Sequence, residues 1–225
     1  MFQNIAHHWR QPLNTIALSS EMILEKLEDI NEECAKEVKT ELDGIAKHVQ
    51  FLSKTINIFS RYFNSSETQE VINIQQEIQQ ILLILKANFE NNHINIIQNV
   101  EYSTIFGKKS FFANIIFILL NNAIESISKK IEQDSNFKGI IEINSEIKNS
   151  SIVKISISDN GIGVDNNIIK NVFEPYITTK FKAQDVGLSL FLAKLNVIND
   201  FNGKIYINKE KEDGAEFIIE LPLHT

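Results

Sequence analysis

The chain is poor in the residues that punctuate or staple a fold. Of its 225 residues, 1 is cysteine, 3 are proline and 8 are glycine. The lone Cys34 has no partner for an intramolecular disulfide or a thiolate metal site, which excludes a disulfide scaffold and fits a reducing compartment. Long apolar runs are missing too. The longest, 115–120, is far shorter than the ~20 residues that span a bilayer, and no charged-then-apolar signal pattern opens the chain, so it is expected to be soluble as given. Positive charge is outweighed: 22 Lys and Arg face 29 Asp and Glu, and the net −7 excludes a nucleic-acid binder that works by bulk attraction. What remains, 43% hydrophobic and 23% charged, is ordinary globular composition with material for a sizeable core. The length allows one large domain or two small ones. In so glycine-poor a chain, paired glycines mark places where backbone geometry is demanded.

Two periods divide the sequence. Over residues 1–64 apolar positions step by fours and threes, through Phe2, Ala6, Trp9, Leu13, Ile16, Ile23, Leu27 and Ile30, with Ser20 the one polar residue in register. After the polar stretch 29–36 the pattern resumes with Val38, Leu42, Ile45, Val49, Leu52, Ile56, Phe59 and Phe63. Such spacing predicts two helices packed along a coiled-coil-like seam as an antiparallel hairpin. One seam buries too little alone, so two hairpins pairing as a dimeric four-helix bundle, hence a homodimer, is the expected completion. Residues 65–70 are small and polar, the best linker. From there to 225, short β-branched runs at 71–74, 94–100, 140–147, 152–158, 204–208 and 216–221 alternate with amphipathic stretches near 75–91, 110–132 and 187–200. That mixture predicts an α+β sandwich with helices on one face of a mixed sheet.

Three sets of residues carry possible chemistry. His7 and His8 lie beside the seam, and an imidazole with an unperturbed pKa of ~6.5 is mostly neutral and nucleophilic at physiological pH. Pro12 removes the backbone hydrogen bond to the carbonyl of His8 and predicts a kink there. A solvated surface pair fits these histidines as well. Adjacent helix positions point about 100° apart, which disfavours a shared metal ion. Asp159-Asn160-Gly161-Ile162-Gly163 directly follows a predicted strand. Its carboxylate can accept a hydrogen bond from an exocyclic amine while bare backbone approaches the ligand, although a mere turn has the same wording. Asn122 sits on an amphipathic helix, where an amide oxygen suits Mg²⁺ and also suits a structural role.

In this order the motifs resemble the sensor histidine kinases of two-component signalling over nearly the whole chain. His7 to Leu13 resembles the phosphoacceptor box, Asn122-Ala123 the asparagine box and Asp159 to Gly163 the first glycine box. Phe173-Glu174-Pro175-Tyr176 with Thr178-Thr179-Lys180 resembles the phenylalanine box, and Gly187-Leu188-Ser189-Leu190 falls where the second glycine box belongs. The resemblance implies a hairpin at 1–64 and a Bergerat (GHKL-type) ATP-binding domain at 71–225. In that domain Asp159 holds the adenine amine, Gly161, Gly163, Gly187 and Leu188 shape the nucleotide loops, Asn122 coordinates Mg²⁺, and Thr179 and Lys180 lie in a lid at 173–186. It also implies ATP-dependent phosphorylation of His7, transfer to an aspartate of a response-regulator receiver domain, and a sensor upstream of this fragment. The fragment itself is expected in the cytoplasm, the full-length protein with or without a membrane anchor.

The sequence departs from the family at several positions. His8 stands where an acidic proton acceptor is usual, and Gln11 where Thr or Asn assists the phosphatase reaction; the wording His-x-Trp-Arg-Gln-Pro-Leu is similar to a subgroup variant. Ile118 replaces the first asparagine of its box, Asp185 the first glycine of the second glycine box, and Ser189 the last. A carboxylate near a triphosphate repels it, so a weakly ATP-binding phosphotransfer or scaffold dimer is the alternative to an active kinase.

Overall fold

The computed structural model describes residues 13–14, 16–23, 38–39, 42–45, 49, 68–165, 167–175, 177, 187–211 and 213–224. The chain divides into two compact units, residues 1–66 with 178–188 and residues 67–177 with 189–225. In the first unit the described residues between 13 and 49 are helical. Leu13, Leu42 and Val49 are buried, and Ser20, the polar interruption of the seam, donates its hydroxyl to the Ile16 carbonyl at 2.9 Å within its own helix. Most of the expected hairpin, including the turn at 29–36 and the Pro12 kink, lies outside the described residues, as does any pairing of hairpins.

The second unit is an α/β sandwich. Strands β1 (Glu70–Asn73) and β3 (Thr104–Gly107) pair antiparallel as a small sheet. The main sheet has the order β2-β4-β5-β7-β6, with β2 Ile94–Asn99, β4 Gly139–Lys148, β5 Ile152–Asp159, β6 Lys204–Ile207 and β7 Glu216–Pro222. β2 runs parallel to β4 and every other pair is antiparallel, so the sheet is mixed as expected. Three helices form the second layer: α1 Ile74–Asn91, α2 Lys109–Gln133 and α3 Ser189–Asn199.

Local chemistry sets these boundaries. Ile74, read from sequence as a strand end, opens α1 instead, because Asn73 Oδ1 accepts a hydrogen bond from the Gln76 amide at 3.0 Å and caps the helix. Asn149 and Ser150 both adopt positive φ, 51° and 54°, within the three-residue connection 149–151 that joins the paired Lys148 and Ile152 as a tight hairpin between β4 and β5. Strand β3 was not expected. It is only four residues long, TIFG, and only two of them, Ile105 and Gly107, are buried.

Side chains alternate across the sheet with period two. Ile141, Ile143, Val153, Ile155, Ile157, Phe217, Ile219 and Leu221 are buried in the core, while Glu142, Glu146, Lys154, Glu216 and Glu220 take the opposite parity. Against that core lies α2, with Phe112, Ile115, Ile116, Leu119, Leu120, Ala123, Ile124 and Ile127 buried. Among the described residues it is the helix long and apolar enough to cross a membrane, with mean hydropathy 1.5, and 44% of that window is buried inside the domain. The N-terminus of α2 is held by α3's far end, where Asp200 Oδ2 accepts from the Lys108 amide at 2.7 Å and adds negative charge to the positive end of the helix dipole.

Phe112 is fully buried and meets Phe201 edge to face with centroids 6.2 Å apart. Phe112→Ala should cost about 3–5 kcal/mol of unfolding free energy, read from the midpoint of a urea titration.

Candidate functional site

Strand β5 delivers Asp159 to its C-terminal end, and the next four residues are gathered against α2. Asp159 is 4% exposed. Its Oδ1 accepts hydrogen bonds from the Ser126 hydroxyl and from the Gly161 amide, each at 2.9 Å, and its own amide donates to the Ala215 carbonyl at 2.8 Å. Burial pushes the Asp159 carboxyl above its ordinary pKa. The Gly161 amide, the Ser126 hydroxyl, the Ala215 backbone and the Lys211 charge act the other way and lose to it.

Glycine is required here by contact and by dihedral angle. A Cβ at position 161 would lie 2.5 Å from the Ser126 carbonyl carbon and 2.6 Å from the Ile127 nitrogen, inside the backbone of α2. Gly163 has φ +72°, and a Cβ there would meet the Gly214 carbonyl oxygen at 2.7 Å. The Asn160 side chain also fastens the loop: its Oδ1 accepts from the Ile140 amide at 2.8 Å and its Nδ2 donates to the Lys138 carbonyl at 2.9 Å.

On α2 the stripe Ile118, Asn122, Ser126 is spaced by one turn, about 6 Å of rise per step, so these side chains share a face. Asn122 is half-buried, and its Nδ2 is a buried donor with no hydrogen-bond partner. Such an orphan is costly in an apolar interior and fits a group that a ligand completes. Since amide O and N exchange by a flip, either atom of Asn122 can face that ligand. Ile118, in place of an asparagine, packs as a half-buried side chain against the core.

The structure thus brings Asp159, Gly161 and Gly163 together with the helix that carries Asn122. Gly187 has φ +64° and Leu188 is buried, both in the other compact unit. Ser189 is exposed at the first turn of α3. His7, His8, Gln11, Thr179, Lys180 and Asp185 lie outside the described residues. Phe173 is half-buried and meets Phe217 edge to face at 6.0 Å, and its neighbour Glu174 pairs with Lys194 of α3 at 3.0 Å.

Sequence reading missed two participants. Ser126 stands four residues after Asn122, a helical spacing that marks a shared face. Gly214, φ +78°, passes so close to the Asp159 backbone that a Cβ there would lie 2.8 Å from the Asn160 Cα.

A sequence profile of the family described as histidine kinase-, DNA gyrase B- and HSP90-like ATPase matches residues 107–225. The chain is similar to the signal transduction histidine-protein kinase AtoS of Escherichia coli, 28% identical over 227 residues, covering 100% of this chain and 34% of that protein. It is also similar to sporulation kinase A of Bacillus subtilis, 26% identical over 220 residues, covering 97% of this chain and 33% of that protein. The chain thus spans about a third of the length of these relatives. Among solved structures, the catalytic domain of histidine kinase ThkA matches with TM-score 0.59 and 20% identity, over 69% of this chain and 97% of that one. Full-length ShkA in complex with AMPPNP matches with TM-score 0.68 and 18% identity, over 100% of this chain and 46% of that one. At these identities the two structures speak for the fold.

A carboxyl with a raised folded-state pKa binds protons more readily folded than unfolded, so its contribution to stability falls as pH rises through the carboxylate range. Asp159→Asn removes that loss. Its Tm should exceed the wild type's at pH 7, and the gap should close as pH is lowered toward about 4, where a carboxyl takes up its proton in either state. A thermal-melt series over pH checks this, and a variant that melts lower at every pH would contradict it.

Proposed function

Because the chain belongs to the histidine kinase-, DNA gyrase B- and HSP90-like ATPase family, we propose that it is the catalytic core of a sensor kinase that phosphorylates itself on His7 and passes the phosphoryl group on. The observation that carries this reading is Asp159, a buried carboxylate held as an acceptor by Ser126 and Gly161 at the mouth of a glycine-shaped loop. In this reading the carboxylate accepts from the exocyclic amine of adenine. Gly161 and Gly163 let the base approach backbone, and Gly187, Leu188, Thr179 and Lys180 are proposed as further nucleotide-binding residues.

Asn122, with its unpartnered buried amide, is the residue that would hold Mg²⁺ through its side-chain oxygen. Bound there, the ion would offset phosphate charge.

The transfer step follows from the imidazole. A nitrogen lone pair of neutral His7 attacks the γ-phosphorus, the N–P bond forms as the bond to the β-bridging oxygen breaks, and ADP leaves. The phosphorylated ring sheds its proton to neutral His8. A receiver-domain aspartate of a response regulator then takes the phosphoryl group, its O–P bond forming as the N–P bond breaks. Phosphatase activity would use Gln11 to orient a water whose oxygen bonds to phosphorus as the aspartyl O–P bond breaks, releasing phosphate.

We propose residues 1–64 as the dimerising hairpin, 65–70 as the linker and 71–225 as the ATP-binding domain. In a single chain the seam residues Ile16, Ile23 and Ile45 are 44%, 45% and 41% exposed, apolar surface that a second copy's hairpin would cover. The share of the relatives' length that the chain spans supports a separate sensor segment, membrane-anchored or not, in the whole protein.

With γ-labelled ATP the wild type should acquire an acid-labile label that His7→Gln abolishes. Failure to bind Mg²⁺–ATP at millimolar concentration would sink the kinase reading and favour a scaffold or phosphotransfer dimer. Asp185→Gly should tighten nucleotide binding several-fold by removing a like charge, about 1 kcal/mol in a wet site, as measured by calorimetry. Unchanged affinity would place Asp185 away from the phosphates.

A further inference from the structure

We infer that Ser126 is the positioning residue that fixes Asp159 as a hydrogen-bond acceptor and thereby sets the pocket's preference for a purine carrying an exocyclic amine. This rests on the proposal that Asp159 faces the base. The inference comes from counting protons. A serine hydroxyl has one hydrogen to give and two lone pairs to receive. The Gly163 amide can only donate, and it points at Ser126 Oγ at 3.3 Å, so Oγ accepts there. Its single hydrogen is left for Asp159 Oδ1 at 2.9 Å. The Gly161 amide, also a pure donor, reaches the same oxygen at 2.9 Å. Two donors with fixed direction therefore hold Oδ1 as an acceptor, and the ring Ser126–Asp159–Gly161–Gly163 closes in one sense only.

The backbone tightens the same junction. The Ile162 amide donates to the Ser126 carbonyl at 3.3 Å, so one residue of α2 binds the loop through both its side chain and its main chain. Around the carboxyl, α2 supplies the Ser126 hydroxyl, the loop the Gly161 amide, and the segment leading into β7 the Ala215 backbone and the Lys211 charge. Burial favours the neutral carboxyl, which carries a hydrogen and would offer it to a ligand. Ser126 works against that outcome by stabilising the ionised form. Without it the carboxyl is oriented by one donor in place of two and takes up a proton more readily, so its hold on the adenine amine weakens, while a 6-oxo purine, which has no amine there to lose, is little changed.

The test compares ADP with inosine diphosphate, two ligands that share ribose and phosphates and differ at the base, on the full 225-residue chain. The wild type should prefer ADP by at least about tenfold, the scale of one hydrogen bond to a charged group. Ser126→Ala should cut that preference about tenfold by weakening ADP, with inosine diphosphate held within about twofold. Ser126→Cys keeps the volume but offers only a weak donor, and should show the same collapse if the alanine variant is too unstable to measure. Equal weakening of both ligands would reduce Ser126 to a structural role and overturn the inference, as would a full ADP preference in both variants. A wild type that does not discriminate the two ligands would instead overturn the assignment of Asp159 to the base.

Discussion

The close approach of the loop after β5 to the backbone of α2 is the contact on which the rest of the site depends. A single Cβ at position 161 would drive the loop into Ser126 and Ile127, and every hydrogen bond that orients Asp159 would lengthen with it. The contact is possible because α2 is fixed from several sides. Its apolar face fills the core, its N-terminus is held by Asp200, and Lys109 at its start pairs with buried Glu77 of α1 at 2.7 Å. A helix free to slide would turn the same glycines into an ordinary turn.

The sequence carried the parts of this arrangement that repeat or stand out against scarcity. The alternation at 152–158 fixed a strand, the pairing of Gly161 and Gly163 marked strained backbone, and the helical period around Asn122 placed it beside a buried face. The hidden parts depend on partners far along the chain. Gly214 is required by the backbone at 159 and 160, a proximity that only the β5–β7 pairing creates. Ser126 looked like any helix serine. Its neighbour Ser128 keeps its hydroxyl 2.8 Å from the Ile124 carbonyl one turn back, as from Asn92 Oδ1, while Ser126 turns to the loop. Strand β3 escaped notice because four residues hold too few alternations to declare a period. The histidines near the N-terminus were legible only as a motif, since their chemistry depends on what is brought to them.

Burying Asp159 opposes stability, and in the proposed reading it serves selectivity. A carboxyl placed at 4% exposure with its pKa raised is a group that folding would discard if stability alone mattered. Its donors recover part of that cost and, in the role inferred for Ser126, would set which atoms of a ligand it tolerates. The same balance reaches Asn122, whose unpartnered amide is a second debit on the folded chain in the same stretch of α2. Asn122 and Ser126, the residue that donates to Asp159, stand about one turn apart on α2, whose apolar face is buried in the core.

Asn160 gives this loop a further property. With one amide group it fastens the loop to the Ile140 nitrogen and the Lys138 carbonyl, so the segment is tied to the start of β4 as well as to α2 before any ligand arrives. Little conformational freedom is then left to lose on binding, and encounter needs no rearrangement of this wall. Differences in affinity among ligands that press on it should therefore appear in how long they stay, with arrival rates nearly the same for all of them.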